Sequence, residues 1–107
     1  MSRYQQIRKY ARVRLQRGVL VAWEHLGERK VSSLSVLGLG GLFISTPQPP
    51  PAGDFIKLVF EVPGGDIRAR ARVCDSQFGR GMGIQFVSMG QEARARLNRH
   101  MSTLTGE

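Results

Sequence analysis

Residues 32–46, SSLSVLGLGGLFIST, set Gly38, Gly40 and Gly41 among apolar residues that otherwise read as strand. The residues from about Lys30 to Val36 form one short strand, and Leu42-Phe43-Ile44 resumes it after the glycines. Glycine weakens a strand, so its presence there needs a reason. Two readings fit: a β-bulge that bends a barrel strand, or a place where a ligand lies close against main chain. Either way the stretch is two strands with a glycine-rich break, and the rest of the chain is read from that unit outward.

Upstream, Gly18-Val19-Leu20-Val21-Ala22-Trp23 is β-rich and closes at the turn-like His25-Leu26-Gly27-Glu28. The residues before it lack periodicity and are basic, so residues 1–14 are expected to be an arm. Downstream, the prolines of Pro47 to Gly53 cannot donate to a ladder and mark a loop. From Phe55 to Val62, Ile56, Leu58, Phe60 and Val62 share one face, with Lys57 and Glu61 opposite. Pro63-Gly64-Gly65-Asp66 turns this strand back as a hairpin. The return strand points Ile67, Ala69, Ala71 and Val73 inward and Arg68, Arg70 and Arg72 outward. Gly79-Arg80-Gly81 turns again, and Met82, Ile84 and Phe86 line one face of a last strand.

The period then changes. Ser88-Met89-Gly90-Gln91 fits a capping box, and Met89, Ala93, Leu97, Met101 and Leu104 recur at helical spacing. His100 is expected in the last turns of that helix, where a cation suits the dipole. The fold class that follows is mainly β: a small barrel of six or so strands over residues 18–87, with a helix over 89–104 covering one opening or an edge.

One domain accounts for the whole chain of 107 residues, and 41% hydrophobic residues suffice for a modest core. No apolar run approaches the length of a membrane span, and nothing after the basic start reads as a signal peptide, so a cytoplasmic protein is expected. Cys74, the single cysteine, offers neither a disulfide framework nor a zinc site. Sixteen Lys and Arg against eight Asp and Glu give a net charge of +8, and arginine dominates. Arginine's planar fork suits phosphates and guanine edges, so anionic partners are indicated, with a merely solubilising surface as the alternative.

The sequence does not suggest an enzyme. His25 and His100 lie in no metal-ligand spacing, no nucleophile elbow is present, and the carboxylates are scattered singly. Arg8 and Arg12, four apart in the arm, are able to close on one ligand from two sides, or they are simply a solvated face.

Taken together, these features resemble the PilZ domain family from about Ile7 to Met101. The resemblance rests on Arg8-x-x-x-Arg12 ahead of the first strand and on Gly40-Gly41-Leu42-Phe43-Ile44-Ser45-Thr46 about thirty residues later. It rests also on Pro49 to Gly53 leading into a strand, on the Pro63-Gly64-Gly65 hairpin, and on Gly81-Met82-Gly83-Ile84-Gln85-Phe86 before the helix. It implies a six-stranded barrel that acts in bacterial second-messenger signalling as a receptor for cyclic di-GMP, with no cofactor. It implies that Arg8 and Arg12 wrap the guanines and phosphates, and that a separate effector protein takes the signal. The family's second motif is Asp or Asn, x, Ser, x, x, Gly.

This chain departs from that second motif. Anchored on Gly41-Leu42-Phe43-Ile44, the motif falls on Val36 to Gly41, with Val36 at the acidic or amide position and Gly38 at the serine; only Gly41 survives. A shifted frame, Ser33-x-Ser35-x-x-Gly38, restores a serine and a glycine but still lacks the carboxylate or amide and needs a three-residue insertion; the first frame is preferred because Gly40-Gly41-Leu42-Phe43-Ile44 is the longer local match. A bidentate contact to a base edge is worth about 1–3 kcal/mol. Losing two polar positions therefore weakens binding by roughly ten- to a thousandfold, which Arg14 at the same end of the strand offsets in part. Two other functions stay open: an adaptor that has lost the nucleotide and works by protein contacts, and nucleic-acid binding along Arg68, Arg70 and Arg72. The second is disfavoured because no aromatic residue interleaves those arginines.

Overall fold

The computed structural model describes residues 12–15 and 18–106. Seven strands appear in chain order: β1 (Arg12–Arg14), β2 (Leu20–His25), β3 (Glu28–Gly38), β4 (Gly41–Ser45), β5 (Phe55–Val62), β6 (Gly65–Gln77) and β7 (Gly81–Met89), followed by one helix, α1 (Gln91–Thr105). All pairings are antiparallel, and the order β3-β2-β5-β6-β7-β4 closes because β4 also pairs with β3. Six strands make the barrel, and β1 adds to the outer part of β3 on the edge that β2 also uses. Residues 12–14, expected within the arm, are therefore strand, because β3 runs past Val36 to Gly38 and offers them a partner.

The alternation of β5 and β6 sorts side chains as anticipated. Ile56, Leu58, Phe60 and Val62 are buried, as are Ile67, Ala69, Ala71 and Val73. They meet Val21, Trp23, Leu34, Ile44, Met82 and Ile84 in one core, where the Phe60 and Phe86 rings stack at 6.4 Å. Buried Trp23 keeps its indole N–H satisfied by donating to the Ser32 hydroxyl at 3.0 Å.

Three extra residues bend the strands. Leu34 pairs with Ile44 but Val36 with Phe43, which leaves Ser35 over; Cys74 on β6 and Val87 on β7 are extra in the same way. A bulge raises local twist, which a barrel of short strands needs in order to close. The bulge in the 32–46 stretch thus falls at Ser35, ahead of the glycines and not on them.

Gly41 answers to a different demand. A methyl group there would lie 1.9 Å from the Ile84 carbonyl oxygen on β7, and one on Gly81 would lie 2.1 Å from the Ile44 carbonyl oxygen. The two strands pass so closely at both ends of β4 that only glycine fits.

α1 packs on β5 and β6, with Leu97 and Met101 buried against the barrel core. The expected capping box does not form: β7 runs on to Met89, which pairs with Ala69, so Ser88 is held in the ladder opposite Arg70. Gly90 is the N-cap, without a side-chain bond. Met89 likewise belongs to β7, and Leu104 at the far end of the stripe is 36% exposed. The helix ends at Thr105 with no basic residue in its last turn, so His100 lies short of the carbonyl end.

Gly41→Ala and Gly81→Ala are expected to destabilise the domain by at least about 3 kcal/mol in urea titration, through overpacking that neither strand can relieve. Gly90→Ser, in open space at the helix start, should change stability by no more than about 0.5 kcal/mol and in the favourable direction.

Candidate functional site

The β1–β3 pair gathers most of the residues singled out in the sequence. Arg12 stands opposite Gly38, Val13 opposite Leu37 and Arg14 opposite Val36. Val13 is partly buried against the core, which turns Arg12 and Arg14 outward, both exposed. Val36 is half-buried, with Arg14 across one edge of β3 and Phe43 across the other. The Ser35 bulge decides this geometry. It lets Leu34 and Leu37, only three apart, both point into the core while Ser35 and Val36 lie side by side on the outside. Ser35 also accepts a main-chain bond from Leu15 at 2.8 Å, which fixes the segment after β1.

The remaining candidates are distributed differently. Ser33 is exposed further along β3, paired with Leu20 and Ser45. Gly41 faces β7 opposite Gln85, and the close approach described above accounts for it without a ligand. Arg8 lies outside the described residues.

Sequence reasoning missed a tie from the helix. Arg94 donates from Nη1 to the Leu39 carbonyl at 2.5 Å, immediately after Gly38. Arg94 and Leu39, with Met89 and Asn98, line an open cleft of ≈ 630 Å³ beside the glycine-rich turn. Its neighbour Arg96 reaches the other way, donating to the Asp66 carbonyl at 2.6 Å and lying over Gly64 and Gly65. The only sequence signal was that both arginines sit off the apolar stripe, which is equally the mark of a solvated residue.

The arrangement sets two exposed cations, Arg12 and Arg14, on the barrel wall beside the end of β3. Among the described residues no three His, Cys, Asp or Glu come together as a metal-holding group. No helix among them is long and apolar enough to cross a membrane.

Comparison with known proteins points one way. The family model for the PilZ domain matches residues 6–102. No curated protein sequence matches the chain. Among solved structures, the inhibitor of motility MotI of Bacillus subtilis superposes with a TM-score of 0.75 at 17% identity, over 94% of this chain and 52% of that one. The PilZ domain of Escherichia coli YcgR with c-di-GMP gives 0.71 at 16% identity, covering 94% and 93%. PlzA of Borreliella burgdorferi, in complex with c-di-GMP, gives 0.72 at 13% identity, covering 91% and 42%. The chain thus spans about half the length of MotI and less of PlzA.

Arg94→Ala is expected to cost about 1 kcal/mol in urea titration, because it strips a charged donor from the Leu39 carbonyl. Arg99→Ala, on the same helix, exposed and without such a bond, should stay within about 0.5 kcal/mol of the parent.

Proposed function

This chain belongs to the PilZ domain family, and from that premise we propose that it is a receptor module for cyclic di-GMP that passes its signal to a partner protein. The observation that carries the reading is the register of β1 on β3, which sets Arg12 against Gly38 and Arg14 against Val36. The second arginine of the Arg8-x-x-x-Arg12 motif therefore borders the stretch where the family's second motif falls. In this reading Arg8 and Arg12 grip the guanine edges and phosphates through their paired N–H donors. Arg14 adds charge at the strand end, and Gly38, Ser35 and Ser33 offer main chain and hydroxyls along β3.

Val36 marks the departure. Its methyl groups stand where a carboxylate or amide would receive a guanine's N–H donors. The base is then held from fewer sides, and the arginines carry a larger share of the binding. A second reading follows from the same residue: a PilZ-type adaptor without nucleotide, working by protein contacts alone.

Calorimetric titration with cyclic di-GMP separates the two. Binding in the micromolar range is expected for the parent chain and none for Arg8→Ala/Arg12→Ala. Val36→Asp, which restores one polar contact at a half-exposed position, should tighten binding by about tenfold or more. No heat from the parent and none from Val36→Asp, with both folded by thermal melt, would leave the adaptor reading standing.

A further inference from the structure

A second surface, on the outside of β2, β5 and β6, is built for a different partner. Here Ala22 on β2 faces outward opposite Val59 on β5, and in the next outward row Glu24 stands opposite Lys57. Long cations stand on the flanking strands, Arg29 on β3 and Arg68 and Arg70 on β6. They line an open groove of ≈ 640 Å³, in which four residues are cations and one, Glu24, is a carboxylate. From β3 to β6 is three strand steps, about 14 Å at the usual sheet spacing. A helix with its side chains is about 10–12 Å across and fits between those rims.

The charge is concentrated at a cost. Lys57 and Arg70 stand directly opposite across β5 and β6, and like charges so placed destabilise an antiparallel pair. Of the four cations, only Arg68 has an acid within ion-pair range among the described residues, Asp66 at 4.0 Å. The Arg70 guanidinium lies over the Phe55 ring, 5.3 Å from its centroid, which limits its freedom before any partner arrives. Four cations against one carboxylate, Glu24, which stands opposite both Arg29 and Lys57, leave the groove net positive around a small apolar floor, complementary to an acid-flanked apolar stripe.

We propose that this groove docks an acidic amphipathic helix of a partner protein. Its carboxylates reach the arginines on both rims, and its small apolar residues rest on Ala22 and Val59. The inference builds on the reading of the chain as a signalling module with a protein partner, but not on nucleotide binding. A nucleic acid fits the groove less well. Glu24 interrupts the positive field, Trp23 is buried, and the Phe55 ring at the rim already carries the Arg70 guanidinium, so stacking platforms do not interleave the cations.

The test is fluorescence anisotropy of the full chain with a labelled helical peptide of about 16 residues, carrying glutamates on both flanks of an Ala/Leu stripe. Saturable binding is expected. Arg29→Gln/Arg70→Glu should weaken it at least about tenfold. That variant replaces the repulsion between Lys57 and Arg70 with an opposite-charge pair, which offsets loss of the Arg70–Phe55 contact, and a thermal melt checks that it is folded. The charge-matched Arg80→Gln/Arg99→Glu should change binding by less than about threefold, a difference under 1 kcal/mol. No saturable binding, equal loss in both variants, or tighter binding of a single-stranded oligonucleotide of equal charge would overturn the proposal. Cyclic di-GMP titrations of the three proteins run alongside and should agree, so a failed receptor reading and a failed docking site give different results.

Discussion

Closure of the barrel depends on the approach of main chain to main chain where β4 meets β7. β4 has five residues and pairs on both edges, with β3 on one side and β7 on the other. At one end Gly41 lies against the Ile84 carbonyl, and at the other Gly81 lies against that of Ile44. A strand so short, seated so tightly at both ends, leaves no slack for its neighbours. β3 has to follow it, and does so by placing the extra Ser35 opposite the Ile44–Phe43 step. That one extra residue keeps both Leu34 and Leu37 in the core and turns Val36 outward. It also carries the end of β3 to where β1 pairs with it. The position of Arg12 and Arg14 is thus a consequence of how the barrel closes.

The helix secures the same region from below. Leu97 and Met101 supply its apolar contact with the core, while two arginines fasten it at separate points, Leu39 after β3 and Asp66 in the β5–β6 hairpin. Arg96 lies over two glycines, its hydrocarbon stem packing over Gly64 and its guanidinium lying where a side chain on Gly65 would intrude. Its Nε is buried without a partner, a local cost set against that packing and the bond made by Nη1. Because Leu39 follows Gly38 directly, the helix and the candidate site share one short piece of chain.

Much of this was legible in the sequence, for a reason that also marks the limit. In β5 and β6 one face is buried and the other wet, so the alternation of Ile67, Ala69, Ala71 and Val73 with three arginines has a single solution. The turns at Pro63-Gly64 and Gly79-Arg80 were equally plain. Tertiary pairing was not legible. Residues 12–14 have no periodicity and become strand only because β3 offers an edge. Ser88 and Gln91 have the spacing of a capping box, but the ladder to β6 holds Ser88 first. The glycines could be read as freedom or as space, and at Gly41 space is the answer. Of the candidate site, Arg12, Val36 and Gly38, named from the motifs, and Arg14, named from its place at the strand end, lie together on the β1–β3 pair. Arg94 stayed hidden because an arginine off the apolar stripe looks the same whether it is solvated or bound to a carbonyl.

β3 borders both surfaces. Its first half carries Arg29 and Val31 beside the outer groove, and its last residues carry Val36 and Gly38 beside β1, with the Ser35 bulge between. In a sheet closed on itself such a strand cannot signal by sliding. A one-residue slip would turn Leu34 and Leu37 out of the core and break the pairing of β3 with β4. Coupling between the two proposed surfaces then runs through charge, as an anion at Arg12 and Arg14 offsets the field of an arginine-rich face. Such coupling weakens with salt on the scale of the Debye length, about 8–10 Å at ordinary ionic strength.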